Sequence, residues 1–323
     1  MKYLLIDTAN TFFRARHVMH GSLDDKVGLA IHILLNSVKK VWQKFDADHC
    51  VFCFEGRSWR KDHYPPYKRN RQEARDALTP MEQEENEVFW ETFDDLKAFL
   101  KDKTNVTTLQ NERLEADDLI AGWIQTHPND EHVVISSDTD FYQLLSDKVS
   151  QYNGITEQHI TTKGVFDDKD KPVIDKKTKE PKQIGDPKWL LFEKCIRGDS
   201  TDNVFSAYPR IRKNKLQEAF EDRHQQGFIW NNLMLAKWVD HEGIEHRVKD
   251  DYERNIELID LSAQPDHIKE IIDKTIQDSV QLKQKVSQVG IHMMKFCGKH
   301  DLKKIADFIN DYVEPLNAGY DRV

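Results

Sequence analysis

Cysteine is scarce in this 323-residue chain, with four in all. Cys50 and Cys53 have the C-x-x-C spacing, but no second cysteine pair and no close histidine pair follows to complete a zinc site. Cys50-Val51-Phe52-Cys53-Phe54 reads as a buried strand in which a thiol acts as a small hydrophobe, with a metal or redox role as the alternative. No run of about 18 apolar residues occurs, so no membrane-spanning helix is expected. The start, Met1 to Asp7, is too short and too soon acidic for a signal peptide, so the expected location is the cytosol. Gly-x-x-x-x-Gly-Lys is missing, which argues against a P-loop nucleotide-hydrolysing enzyme. The first apolar run ends in Asp7-Thr8-Ala9 rather than Asp-x-Asp, which argues against an aspartate-nucleophile phosphatase. No internal repeat is visible.

What is present begins with a core. Apolar residues make up 38 % and aromatics 10 %, enough for extensive burial, and the length suggests two units or one large domain with an appendage. The formal net charge of −9 speaks at first against nucleic acid. Its distribution reverses that, because residues 57–75 carry seven Lys/Arg (Arg57, Arg60, Lys61, Lys68, Arg69, Arg71, Arg75) against Asp62 and Glu73.

Residues 3–7 read as a strand, followed by an amphipathic helix with Val27, Ile31, Leu34, Val38 and Trp42 at helical spacing. Residues 49–54 read as a second strand and 80–102 as a helix bearing Phe89, Phe93, Leu96 and Leu100. A strand at 106–109, a helix at 115–126, a strand at 132–137 and a helix at 140–146 follow. This alternation predicts an α/β fold with a central, mostly parallel sheet covered by helices on both faces. Residues 163–186 are rich in Lys, Asp and Pro and read as a long hairpin or a mobile loop. Beyond them the chain reads as helical, with stripes at Ile268, Ile271, Ile272, Ile276 and at Leu302, Ile305, Phe308, Ile309. The expected division is 1–185 and 186–323.

Carboxylates recur where these elements end. Asp7, Glu55 and Asp138 follow strands, and ligands of parallel sheets bind outside the carboxyl ends of strands. Glu115 and Asp118 are three apart on a helix start, with Asp117 beside them. Asp138 and Asp140, two apart, point the same way if the backbone is extended. Asp199 and Asp202 repeat the three-residue spacing. Taken singly, such acids serve as helix caps or first-turn residues. Taken together they call for a counter-charge. Oxygen-only ligands suit Mg²⁺ or Mn²⁺, and two such ions would serve phosphodiester hydrolysis. The segment Trp59-Arg60-Lys61-Asp62-His63-Tyr64-Pro65-Pro66-Tyr67-Lys68-Arg69-Asn70-Arg71 adds cations for phosphates and aromatic rings for stacking on bases, with a solvated basic helix as the alternative.

The ordered set resembles the structure-specific 5′-nucleases, the flap endonuclease and polymerase 5′-exonuclease family, and within it the phage ribonuclease H type. It consists of Asp7, Glu55, Arg60, Tyr67-Lys68-x-x-Arg71, Glu115-Ala116-Asp117-Asp118, Ser137-Asp138-Thr139-Asp140 and Gly198-Asp199-Ser200-Thr201-Asp202-Asn203. The resemblance implies a PIN/5′-nuclease-like core, a helical arch at about 57–110 and a C-terminal all-helical DNA-binding domain. It implies Asp7, Glu55, Glu115, Asp117 and Asp138 around one Mg²⁺ and Asp138, Asp140, Asp199 and Asp202 around a second, with Asp118 nearby and Mn²⁺ able to substitute. It places Lys68 and Arg60 on the scissile phosphate. It implies 5′→3′ removal of RNA primers and adjacent DNA, and cleavage of 5′ flaps, by a monomer in the cytoplasm of a phage-infected bacterium. A sliding clamp and a single-strand-binding protein are the implied partners.

Two departures follow. Glu55 stands where the family usually has Asp, so it reaches one methylene further. The family's Gly-rich hairpin after Asp-Asn is replaced by Val204 to Lys213 without those glycines. Side chains of Arg210, Arg212, Lys213 and Lys215 are therefore expected to meet DNA phosphates, joining Arg57, Lys61, Tyr67, Arg69 and Arg71, and no monovalent ion is expected there. A non-catalytic nucleic-acid-binding subunit and a metal-dependent phosphatase or nucleotidase are the alternatives.

Overall fold

A computed structural model describes residues 1–14 and 23–320, so residues 15–22 and 321–323 of the ranges above lie outside it. The chain divides into two compact units: residues 1–57, 78–184 and 270–323 form the first, and residues 58–77 and 185–269 the second.

The first unit is built on seven strands: β1 (Lys2–Asp7), β2 (His49–Cys53), β3 (Thr107–Leu109), β4 (Glu131–Ile135), β5 (Val149–Asn153), β6 (Gln158–Thr161) and β7 (Gly164–Phe166). Their order is β3-β2-β1-β4-β5-β6-β7, parallel from β3 to β5 and antiparallel beyond. Tyr3 to Ile6 of the central β1 have no exposed surface, as expected for a parallel strand covered on both faces. The helices Leu23–Phe45 and Pro80–Lys103 bury Ile31, Leu34, Phe89, Phe93 and Leu96 against one another and the sheet. Thr79 and Glu82 cap the second of these helices reciprocally, ahead of Pro80 at its first position. Chain-terminal helices join the same core: Met293 and Phe296 are buried there, and Phe296 stacks on Phe99 at 4.3 Å.

Local structure differs from expectation in four places. β5 and β6 were not foreseen, because Ser150, Gln151, Gln158 and His159 interrupt any apolar run. Residues 163–186 extend the antiparallel edge: β7 continues into bridges Phe166↔Pro172 and Ile174↔Pro181. Residues 139–144 form a 3-10 helix, so Asp138 is extended but Asp140 lies in the first turn of that helix, and the two do not share one extended stretch. Asp138 is its cap, accepting from the Asp140 amide at 2.9 Å. The helical tail is interrupted by the hairpin β8 (Lys237–Val239) and β9 (Glu245–Arg247). This hairpin turns at Gly243, with φ +84°, and is braced by Trp238 stacked on His246 at 4.5 Å.

The second unit packs the helices Pro187–Arg197, Lys213–Asp222, Phe228–Leu235 and Val248–Ile259 around Trp189, Phe192, Leu216, Phe220 and Leu233. The two short helices Arg60–His63 and Arg69–Asp76 belong to it. All four cysteines are buried and free. Burial pushes the Cys50 thiol up, and burial with the charges of Asp7 and Glu55 does the same to Cys53, so both are inert core side chains.

Candidate metal centre and nucleic-acid interface

Register places the first-unit acids. Asp7 pairs with Cys53 across β1 and β2, and Ile6 with Ile135 across β1 and β4. Glu55 and Asp138 follow Cys53 and Ile135 by two and three residues, so the carboxyl ends of three adjacent strands each carry an acid. Glu115 precedes the helix Ala116–Thr126, and Asp117 and Asp118 lie in its first turn.

Hydrogen bonds hold these carboxylates in place. Asp7 Oδ1 accepts from the Asn10 amide at 3.3 Å and Oδ2 from the Ser136 hydroxyl at 2.8 Å. Glu55 Oε2 accepts from the Ala116 amide at 3.2 Å. The longer glutamate side chain thus reaches a helix N-terminus, where anions are favoured. Asp118 Oδ2 accepts from the Glu115 amide at 3.2 Å, and Asp117 Oδ1 from the Asp118 amide at 2.9 Å. Capping is therefore real. A carboxylate has about four acceptor positions, however, and a cap occupies one.

Carboxylate oxygens of Glu115, Asp117 and Asp118 lie within 4.8 Å of one another, and Glu115 and Asp118 are buried. At that separation two unit charges repel by ~3 kcal/mol at an effective dielectric of about 20. A helix N-terminus offsets only about 0.3–1 kcal/mol per acid. A divalent cation would offset all three at once, and the all-oxygen donor set suits a hard ion such as Mg²⁺ or Mn²⁺. The residues present therefore fit a metal of this class.

The acids of the second unit are held differently. Gly198 has φ +78°, and a Cβ there would meet Val204 O at 2.4 Å, so the turn before Asp199 requires glycine. Asn203 is left-handed as well, and Asp199 and Val204 exchange backbone hydrogen bonds at 2.7 and 2.8 Å. Asp199 then faces Lys194 Nζ at 2.8 Å and accepts from the Thr201 amide at 2.8 Å and hydroxyl at 2.6 Å. Burial alone would raise its pKa, but Lys194 and Thr201 outweigh burial and hold it below the usual carboxylate range. Asp202 accepts from Tyr67 Oη at 3.1 Å, is 3.5 Å from Lys68 Nζ and pairs with Arg71. The basic segment is stitched to this loop by its backbone too: the Lys68 amide donates to Asp202 O at 2.8 Å, and Asn203 Nδ2 to Pro66 O at 2.7 Å.

Arg60 is held inside the second unit. It has no exposed surface, its Nε donates to Leu258 O at 2.8 Å, and its guanidinium lies 4.8 Å from the Trp59 ring centroid. A guanidinium buried in this way braces the segment. Tyr67 is also buried. Arg57, Arg69, Arg71, Arg210, Arg212, Lys213 and Lys215 are exposed, and Lys61 is half-buried. Arg69 pairs with Glu73 and Lys215 with Glu218. Arg210 and Arg212 precede the helix Lys213–Asp222, whose N-terminus favours anions.

Sequence reasoning missed Asn10, Ser136, Lys194 and Thr201. Asn10 had a signal, since an acid three residues before a helical amide is a capping pattern. Lys194 had one as well, lying about one helical turn before Gly198-Asp199. Among the described residues no helix is long and apolar enough to cross a membrane.

Comparison with known proteins adds four results. The family model described as "5′-3′ exonuclease, N-terminal resolvase-like domain" matches residues 2–170. The chain is 31 % identical over 148 residues to a flap endonuclease of Escherichia phage T5, covering 45 % of this chain and 46 % of that protein. It is 26 % identical over 262 residues to a ribonuclease H of Enterobacteria phage T4, covering 76 % of each. The first curated relatives are spanned to less than two thirds of their length. The fold is similar to that of the bacteriophage T5 flap endonuclease in a pseudo-enzyme-product complex with DNA and metal ions. The TM-score is 0.61 at 21 % identity, over 87 % of this chain and 98 % of that one.

Proposed function

The chain belongs to the 5′-3′ exonuclease family, and from that premise we propose that it is a divalent-metal-dependent phosphodiesterase cutting nucleic acid at 5′ ends and 5′ flaps. The observation that carries this reading is the close group of Glu115, Asp117 and Asp118, with Asp7, Glu55 and Asp138 at the carboxyl ends of adjacent strands. The residues assigned to metal are Asp7, Glu55, Glu115, Asp117, Asp118, Asp138 and Asp140 from the first unit and Asp199 and Asp202 from the second. Two Mg²⁺ ions, replaceable by Mn²⁺, are the proposed cofactor. When bound, such ions activate the attacking water and neutralise charge on the leaving oxygen.

The chain's own residues bind and orient the substrate. Lys68 and Arg71 supply positive charge to a phosphate, at the expense of their ion pairs with Asp202. Arg57, Lys61, Arg69, Arg210, Arg212, Lys213 and Lys215 track the backbone, which makes binding salt-dependent. The relatives' names, flap endonuclease and ribonuclease H, support DNA flaps and RNA–DNA duplexes as substrates. Removal of RNA primers during phage-type replication, by a monomer in the host cytoplasm working with a sliding clamp and a single-strand-binding protein, completes the proposal.

The test is the product ladder from 5′-labelled flaps and 5′-labelled RNA–DNA duplexes. Short 5′ products with Mg²⁺, abolished by a chelator, are expected. No product with either Mg²⁺ or Mn²⁺ would overturn the reading in favour of a non-catalytic binding subunit. Turnover of nucleotide esters without polymer cleavage would indicate a nucleotidase.

A further inference from the structure

Behind the carboxyl ends of β1 and β4 lies a buried layer of uncharged donors. Ser136 is 1 % exposed and Gln151 has no exposed surface. The Ser136 hydroxyl donates to Asp7 Oδ2 at 2.8 Å and accepts from the Asp138 amide at 3.0 Å. A hydroxyl has one proton, so giving it to Asp7 fixes the rotor, and the lone pair left behind faces the Asp138 amide. From β5, where it pairs with Val134, Gln151 donates through Nε2 to Ser136 O at 2.9 Å and to Asp138 O at 2.8 Å. These four hydrogen bonds tie the strand end bearing Asp7 to the turn bearing Asp138.

We propose that Ser136 and Gln151 are positioning residues that set the divalent-ion affinity of Asp7 and Asp138. The inference rests on the metal-binding reading above. Neither side chain touches the ion or the substrate; Ser136 orients a ligand oxygen, and Gln151 fixes the backbone from which Asp138 projects. Groups that orient metal ligands cost about 10–100-fold in metal affinity when removed. Both residues meet at the Asp138 turn, so their effects are coupled.

The experiment is calorimetric titration of the metal-free 323-residue chain with Mn²⁺ in the absence of nucleic acid. Wild type is compared with Ser136→Ala, Ser136→Thr, Gln151→Met and the Ser136→Ala/Gln151→Met double variant, each first shown to be folded by circular dichroism. Ser136→Ala and Gln151→Met are expected to bind Mn²⁺ about 10–100-fold more weakly, and the double variant less weakly than the product of the two losses. Ser136→Thr, which keeps the hydroxyl, should stay close to wild type. Excess Mg²⁺ should restore cleavage by the single variants with an unchanged KM for a 5′ flap, a rescue that a general packing defect would not show. Mn²⁺ affinity equal to wild type in Gln151→Met, or in folded Ser136→Ala, would overturn the proposal for that residue. Failure of the wild type itself to bind Mn²⁺ would instead defeat the metal-binding reading on which it rests.

Discussion

The two units answer the same electrostatic problem in different ways. In the second unit, Asp199 and Asp202 sit beside cations of their own chain: Lys194 on one, Lys68 and Arg71 on the other. In the first unit, the contacts on Asp7, Glu55, Asp117 and Asp118 include backbone amides and a serine hydroxyl, and three carboxylates crowd within 4.8 Å. Amides and hydroxyls orient a carboxylate without cancelling its charge. The difference teaches that a chain can position acids by different contacts, amides and a hydroxyl in one unit and lysine and arginine side chains in the other, while each carboxylate keeps acceptor positions that a hard divalent ion can take.

Substitutions can break this contrast. Asp138→Asn should retain the fold and lose about 10³-fold in cleavage, equivalent to ~4 kcal/mol of transition-state stabilisation. Single-turnover rates on a 5′ flap check it, and full activity would remove Asp138 from the centre.

Acid should weaken the first unit before it reaches Asp199. His132 is buried, both its ring nitrogens are without hydrogen-bond partners, and its pKa is pushed down to about 4 by burial and by His127, the N-terminus and Lys148. The unfolded histidine, with a pKa of about 6.5, takes up protons first, so stability falls as pH drops from ~6.5 to ~4, by up to about 3 kcal/mol. His159, likewise pushed down to about 4 by burial and Lys44, adds in the same direction. Asp199 has a depressed pKa, so its contribution persists above the unfolded value of ~3.9 and is lost only as pH falls through the lower folded value. Denaturant melts across pH should show the first loss, and His132→Phe should flatten it.

Charge removal in the second unit should cost stability. In metal-free protein, Asp202→Asn leaves Lys68 and Arg71 without their carboxylate and should destabilise by about 1–3 kcal/mol. Melting temperatures at low salt without metal decide it; an unchanged melting temperature in Asp202→Asn would show that these ion pairs do not hold the loop. The smallest effect is expected for Lys68→Ala, which should reduce the salt slope of DNA binding by about one phosphate contact.

The centre of the fold was legible because its signals are local. Apolar runs gave β1, β2 and β4, and helical spacing gave Leu23–Phe45 and Pro80–Lys103. The acids were legible because strands and helices end where they stand. Other features depend on partners remote in sequence. β5 and β6 alternate polar residues at the antiparallel edge of the sheet. Met293 and Phe296 join the first-unit core only through packing against elements some 200 residues earlier. The charge of Arg60 is visible in sequence, whereas its acceptor Leu258 O, 198 residues later, is not. Gln151 carries no motif at all, and only the β4–β5 register brings it beneath Asp138.

The central claim is that the first-unit acids hold divalent metal while the second-unit pair Asp199 and Asp202 has its charge offset by protein in the metal-free state. Thermal melts of the metal-free chain titrated with Mg²⁺ test it most directly, using wild type, Asp117→Asn and Glu115→Gln. The wild type should gain about 2.7 kcal/mol when Mg²⁺ reaches 100 times its dissociation constant. Both variants should lose most of that gain. An equal Mg²⁺-induced gain in wild type and both variants would contradict the account.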